Sequence, residues 1–441
     1  MKRLLLCVAL LTLMWQVKGQ DYYMAAPEGF GAAATGGGDA TSVTVTNYTD
    51  LKANIKLAGP KVILVSGTIT IPEGQRISEV VTDKTILGLP GAKLVNNTQT
   101  QSGSGILNLK NGSNNVIIRN LIFEGPGAYD VDGRDNLTAD GCTNLWVDHC
   151  EFQDGVDGNF DIKGNSDDIT VSWCKFTYLK PAVPGGPGGS NDHRFSNLVG
   201  SSSTNAPVDG HYSVTFQNCY WADGVKARMP RARNAELHIL NCYVNTDVSS
   251  STALGLGGGI NDLTCYVENT DFANVGNVYQ NASSDGGTVS LVFDNCLNGE
   301  SNVGTVTAPS YSYTVIAVED VAEVLGNESC GAGATLEITD TGDISSSCDG
   351  LGLEDLNAIG VNVYPTIVDD MCYIELPSQL NGSVSIDMFT LMGQKVYSYQ
   401  NNPQLEATNR YALDLSRLAK GMYVCTLQIN GQTESFRLMK R

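Results

Sequence analysis

Short β-rich runs recur through the middle of the chain with one texture. Val116–Asn120 leads into Leu121 and Phe123, Leu145–His149 into Cys150 and Phe152, and Thr170–Trp173 into Cys174 and Phe176. The same order returns at Val214–Asn218, Leu237–Asn241, Cys265–Asn269 and Leu291–Asn295. Each copy is an apolar run, a turn residue, a small residue and then usually an aromatic or apolar one. Most copies lie 23 to 29 residues apart. The wider gap between Trp173 and Asn218 reads as one coil carrying a large loop. No helical period replaces the pattern. A unit this short cannot bury its own apolar face, so stacking against its neighbours is required, which predicts a solenoid. The expected fold is all-β: a right-handed parallel β-helix over residues 20–327. Equivalent residues of successive coils would then stack, giving an asparagine ladder at one turn and an internal column of cysteines.

After Asn327 the composition shifts. Residues 328–358 are rich in Gly, Ser, Asp and Thr and read as a linker. Alternating runs then resume at Val361–Tyr364, Cys372–Leu376, Val384–Phe389, Arg410–Leu415 and Met422–Leu427, with turn pairs at Asn381-Gly382 and Asn430-Gly431. That pattern predicts a small β-sandwich over 359–441. At the other end, Lys2 and Arg3 precede the apolar run Leu4–Trp15, which reads as a signal peptide over 1–19 and is too short to span a bilayer. The mature chain is therefore expected to be exported, without a transmembrane segment.

A formal charge of −20 argues against nucleic acid as a partner. It does not exclude an acidic substrate, because net charge sets only the far field and a local cluster can reverse it. Of twelve cysteines, Cys7 leaves with the leader, and no CxxC metal pattern is present. The repeat cysteines read as packing, since buried thiols behave as small hydrophobes. Cys330 and Cys348 bracket a polar loop and are the expected bridge. The glycine run Gly36-Gly37-Gly38 lacks a following Gly-Lys-Ser/Thr and is not read as a phosphate loop.

Candidate chemistry gathers between residues 146 and 244. Asp157 and Asp161 are four apart, and clustered carboxylates suit a hard cation such as calcium. Arg228, Arg231 and Arg233 flank Pro230, and arginines suit an anionic substrate. Together they suggest a site for a polyanion bridged to the protein by metal. The four histidines show no spacing with Ser and Asp that would serve an ordinary hydrolase triad. His149 takes the turn position of Asn218 and Asn241 and reads as a ladder residue.

Several motifs resemble those of the pectate lyases of polysaccharide lyase family one: Gly29-Phe30-Gly31 with Thr35-Gly36-Gly37, Asn115–Asn120, Trp146–His149, Asp157–Asp161, Asn197–Gly200 and Arg228–Arg233. The C-terminal 80 residues or so resemble a type nine secretion sorting domain through Val363-Tyr364-Pro365, Met392–Val396 and Leu418–Val424, with Thr366-Ile367 where Asn-Pro is usual. The resemblance implies a secreted or cell-surface monomer that cleaves polygalacturonate, or pectin, by β-elimination with Ca2+. It implies calcium ligands at Asp135, eleven residues before Trp146, and at Asp157 and Asp161. It implies a catalytic Arg228 and substrate binding by Lys180, Arg231 and Arg233. It also implies that the C-terminal domain engages a secretion machinery.

Three other functions fit parts of this pattern. A pectin lyase acts on methyl-esterified polymer without the calcium aspartates, all three of which are present. A polygalacturonase needs a carboxylate acid/base pair, and that family's motif series is missing. A non-catalytic glycan-binding β-helix would be marked by loss of Arg228 and Arg233, and both remain.

Overall fold

The computed structural model describes residues 24–346, 361–377, 384–390, 395–400, 410–429 and 432–441. The expected signal peptide, Cys348 and the turn pairs Asn381-Gly382 and Asn430-Gly431 lie outside the described residues. The chain divides into two compact units, Tyr23–Ser347 and a second that takes in Cys348–Arg441.

The first unit is a parallel β-solenoid whose coils build three parallel sheets of ten, eight and eight strands. Register follows the repeat. In the ten-stranded sheet Leu145 opposes Ile169, Ile169 opposes Val214, Val214 opposes Leu237, and Leu237 opposes Cys265. All are buried, so one apolar position per coil becomes one column of the core. Behind it Phe123, Phe152, Phe176 and Trp221 stack with ring centroids 4.9, 5.2 and 5.8 Å apart. Such near-parallel aromatic contacts stabilise beyond the area they bury.

The repeat's turn residues share one backbone state. Asn120, His149, Trp173, Asn218, Asn241, Asn269 and Asn295 all have φ between 45 and 57°. Asparagine tolerates this left-handed region better than other side-chain-bearing residues. The ladder is real: Asn241 donates to Asn218 at 2.9 Å, and Asn295 donates to Asn269. His149 and Trp173 replace that hydrogen bond with a ring stack at 5.4 Å. Cys150, Cys174, Cys219 and Cys242 follow their turn residues as free, buried thiols.

Two short helices were not foreseen from the β-rich pattern. Tyr48–Lys56 is capped by Asn47, whose side chain accepts from the Asp50 amide at 3.0 Å, and it buries Leu51 and Ile55. Two apolar residues at i and i+4 are too few to stand out as a period, yet they suffice for one face. Val318–Leu325 is the second helix.

The segment after Asn327 is held to the solenoid through its described part. Leu336 and Ile338 bury against Leu64 and Leu87. Asn120 accepts from the Leu336 amide at 2.8 Å and donates to its carbonyl at 2.9 Å. Cys330 is disulfide-bonded.

The second unit has a three-stranded sheet, Asn362–Tyr364, Met371–Glu375 and Arg410–Asp414, and a five-stranded one that includes Val384–Thr390 and Gly421–Ile429. Val384, Ile386 and Met388 are buried and alternate with Ser385 and Asp387, the period of a strand with one face on a core. Their partners include Cys372, Ile374, Leu413, Cys425 and Phe436. Among the described residues no helix is long and apolar enough to cross a membrane.

Candidate functional site

One eight-stranded sheet of the solenoid carries the candidate residues. It includes Leu137–Asp140, Phe160–Lys163, Asn197–Val199, Arg231–Arg233 and Thr252–Gly257. Alternation along each strand sends Phe160 and Ile162 into the core and leaves Asp161 and Lys163 on the outer face. Register then lines up Thr138, Asp161, Leu198, Arg231 and Gly255 in one outer row across the coils. Asp135, Asp157 and Arg228 sit in the turns that lead into these strands.

Asp135 and Asp161 meet at Gly158. A side chain at 158 would put its Cβ 2.7 Å from Asp135 Oδ1 and 3.3 Å from Asp161 Oδ1. Asp135 Oδ1 is buried and has no hydrogen-bond partner, while Thr138 donates to its Oδ2 at 3.3 Å. Burial, and then the Asp157 charge, push the Asp135 carboxyl up to about 6. Burial and the Asp135 charge push Asp161 well above its ordinary range, against the pull of Arg228 and Lys163. Buried carboxylates this close raise one another in this way.

Asp157 is more open, and its Oδ1 accepts from His193 Nδ1 at 2.6 Å. His193 Nε2 lies 3.5 Å from Asp130 Oδ1. The Asp157 bond raises His193 above its usual value in spite of burial.

Arg228 has φ 64° and precedes the cis Met229–Pro230 bond. Its guanidinium lies 4.1 Å from the centre of the Phe195 ring, a cation–π contact that fixes its plane. Arg231 donates to the carbonyls of Ala232 and Gly255 at 2.9 Å. It also pairs with Asp285, which Arg233 Nε reaches at 3.0 Å. Burial and the like charge of Arg233 lower Arg231, with Asp285 opposing. Arg231 and Arg233 are thus held by one acidic residue.

Lys180 is engaged by other groups. Its Nζ donates to the Gly125 carbonyl at 2.8 Å and lies 3.5 Å from Asp154 Oδ2. The structure therefore gathers Asp135, Asp157, Asp161 and Arg228, sets Arg231 and Arg233 on and beside the same row, and leaves Lys180 engaged elsewhere. Sequence reasoning missed His193, Phe195, Lys163 and Asp285. Only Lys163 left a usable signal, two residues beyond Asp161 on the same face of one strand. His149 serves the core: its Nδ1 contacts Asp148 at 2.7 Å, and Asp148 pairs with Arg119 at 2.8 Å.

The donor set suits a hard cation. Asp135 keeps a buried, unpartnered oxygen, and Gly158 leaves open the space where a Cβ would stand. Among the described residues no three acidic, histidine or cysteine side chains close a cage by themselves. Calcium takes six to eight oxygens, so such a site would draw on water or substrate as well.

Residues 1–333 match the family model described as pectate lyase, and residues 362–441 match a secretion system C-terminal sorting domain. Pectate lyase plyB of Emericella nidulans is 32% identical over 294 residues, covering 64% of this chain and 79% of that protein. A pectate trisaccharide-lyase of Thermotoga sp. is 36% identical over 226 residues, 49% of this chain and 53% of that one. The solved structure of the thermostable pectate lyase PL 47 superposes with a TM-score of 0.54 at 19% identity, over 72% of this chain and 99% of that one. A protein carrying this sorting domain is secreted or placed at the cell surface. The chain, a polysaccharide lyase by its relatives, belongs to the pectate lyase family.

Proposed function

We propose that the protein cleaves polygalacturonate by calcium-dependent β-elimination, leaving a 4,5-unsaturated sugar at the new end. The observation that carries this reading is the pair Asp135 and Asp161, closed on Gly158 with an unpartnered oxygen, beside Arg228. Asp135, Asp157 and Asp161 would hold the cation. Calcium bound there would draw charge from a substrate carboxylate and so acidify the proton on the neighbouring carbon 5.

Arg228 is the proton acceptor in this reading. Its contact with Phe195 and its left-handed backbone aim the guanidinium at one place. A guanidinium is ordinarily protonated, so the step requires a deprotonated Arg228. The electron pair of the carbon 5 to hydrogen bond becomes the double bond to carbon 4, and the glycosidic oxygen leaves carbon 4 with its bonding pair and takes up a proton from water. Arg233 holds a substrate carboxylate with its planar fork, and Asp285 orients that fork. Lys180 binds substrate once its pairing with Asp154 yields.

Replacing Asp161 by Asn tests the metal assignment. The calcium needed for half-maximal turnover should rise by about tenfold or more, as it does when a ligand charge is removed. Unchanged calcium dependence would reject the assignment.

A further inference from the structure

Arg228 is held differently from the other two arginines of the site. Arg231 and Arg233 share Asp285, and Arg231 also donates to two carbonyls. Among the described residues, the Arg228 guanidinium has neither an ion pair within 4.0 Å nor a hydrogen bond. Its charge is felt by Asp135 and Asp161, yet it pairs with neither. What holds it is the face of Phe195, 4.1 Å away at the ring centre. A hydrogen-bond acceptor would orient a guanidinium by occupying its N–H groups. A ring face orients the plane and leaves the edge open. A base needs that edge, because the proton it takes is added to a nitrogen in the plane.

Phe195 is itself fixed by its neighbours. Its carbonyl accepts from the Tyr178 hydroxyl at 2.7 Å. Its amide donates to the His193 carbonyl at 2.7 Å, and the His193 and Phe195 rings lie 5.3 Å apart. A parallel bridge joins Phe195 to Ala227 on the next coil, and the Asn197 amide donates to the Arg228 carbonyl at 2.7 Å. Backbone register therefore sets ring and arginine against each other. Tyr178 is buried in the solenoid core. Burial, then the charges of Asp135, Asp157 and Asp154, raise its hydroxyl well above the usual value, against the pull of Arg228, so it stays a donor. The turn His193–Phe195 thus touches a proposed calcium ligand, Asp157, at one end and the proposed base at the other.

We propose that Phe195, pinned by Tyr178, is the positioning residue of the base: it holds the plane of Arg228 and leaves the nitrogen edge open to substrate. This rests on the lyase reading above. Phe195 acts through Arg228 and takes no part in holding calcium or the polymer.

The test follows unsaturated product from polygalacturonate for wild type, Phe195→Leu, Phe195→Tyr and Tyr178→Phe. A base out of place slows the chemical step and leaves binding alone. Phe195→Leu should lower kcat by about tenfold or more, with KM and the calcium needed for half-maximal turnover within about twofold of wild type. Phe195→Tyr keeps a ring face and should recover most of the loss. Tyr178→Phe removes one hydroxyl and should lower kcat by a smaller factor at unchanged KM. Thermal unfolding checks the fold, and Phe195→Met takes the place of Phe195→Leu if that variant does not fold. Unchanged kcat in Phe195→Leu or in Tyr178→Phe, or an equal loss in Phe195→Tyr, overturns the proposal. A rise in KM or in calcium requirement at unchanged kcat also overturns it, and would place Phe195 on the substrate or on Asp157 instead. If wild type releases no unsaturated product, the lyase reading itself falls; with product formed, the Phe195 and Tyr178 variants alone decide.

Discussion

His193 donates to Asp157 across 2.6 Å, so one oxygen of Asp157 is engaged within the protein itself. Partners of this kind orient metal ligands, and their loss typically costs ten- to hundredfold in metal affinity. His193→Ala should therefore raise the calcium needed for half-maximal turnover by about tenfold, with smaller effect at saturating calcium. A calcium titration of activity checks this. Unaltered calcium dependence would show that His193 only braces the loop.

The second prediction concerns pH. Asp135 is pushed up to about 6 and Asp161 is also raised. For a carboxyl with a raised folded-state value, the folded protein binds more protons than the unfolded chain between the two values. Without calcium, the stability these groups supply should thus be present at low pH and fall as pH climbs from about 4 through about 6. Calcium should restore it, and apparent calcium affinity should increase over the same window. Melting curves at several pH values, with calcium and with chelator, measure both effects. A calcium-free melting point that rises across that window in wild type and stays unchanged in Asp135→Asn would reject this.

The third concerns the arginines. Arg228→Lys keeps the charge but not the reach or the fork. It should lower kcat and kcat/KM together by about a thousandfold or more, with polygalacturonate binding retained. Arg233→Lys should instead raise KM, because a bidentate contact is lost. Near-normal turnover in Arg228→Lys would move attention to Lys180 and Arg233.

The fourth concerns the C-terminal boundary. Truncation after Ser347 should leave a folded, active solenoid that fails to reach the cell surface. Truncation after Asn327 should fold less stably, since Leu336 and Ile338 leave Leu64 and Leu87 uncovered. Burial of each such side chain contributes about 1.5–3 kcal/mol. Equal melting points for the two truncations would show that residues 328–347 contribute nothing to the solenoid.

The fold was legible because the solenoid repeats its physics in every coil. Asn218, Asn241, Asn269 and Asn295 announce a left-handed turn once per coil, and the residues before them announce the core column. His149 was readable as a ladder position because it falls on that beat. The helix Tyr48–Lys56 was not, since Leu51 and Ile55 are its only buried residues. The attachment of Leu336 and Ile338 was hidden by the polar residues around them. In the site, Asp157, Asp161 and Arg228 stood out by residue type and spacing and Asp135 only through the resemblance, while the meeting of Asp135 and Asp161 at Gly158 is a matter of register between coils. His193 and Asp285 reach their partners across 36 and 54 residues, and nothing local in the sequence announces such pairs.

The most direct test is the ultraviolet absorbance of unsaturated product released from polygalacturonate, followed with calcium and then with excess chelator. Hydrolysis adds water and creates no double bond, whereas elimination creates one conjugated to the carboxylate. The account predicts a steady rise with calcium, none with chelator, and recovery when calcium is returned. Chain cleavage without that absorbance, or an undiminished rise in chelator, would contradict it.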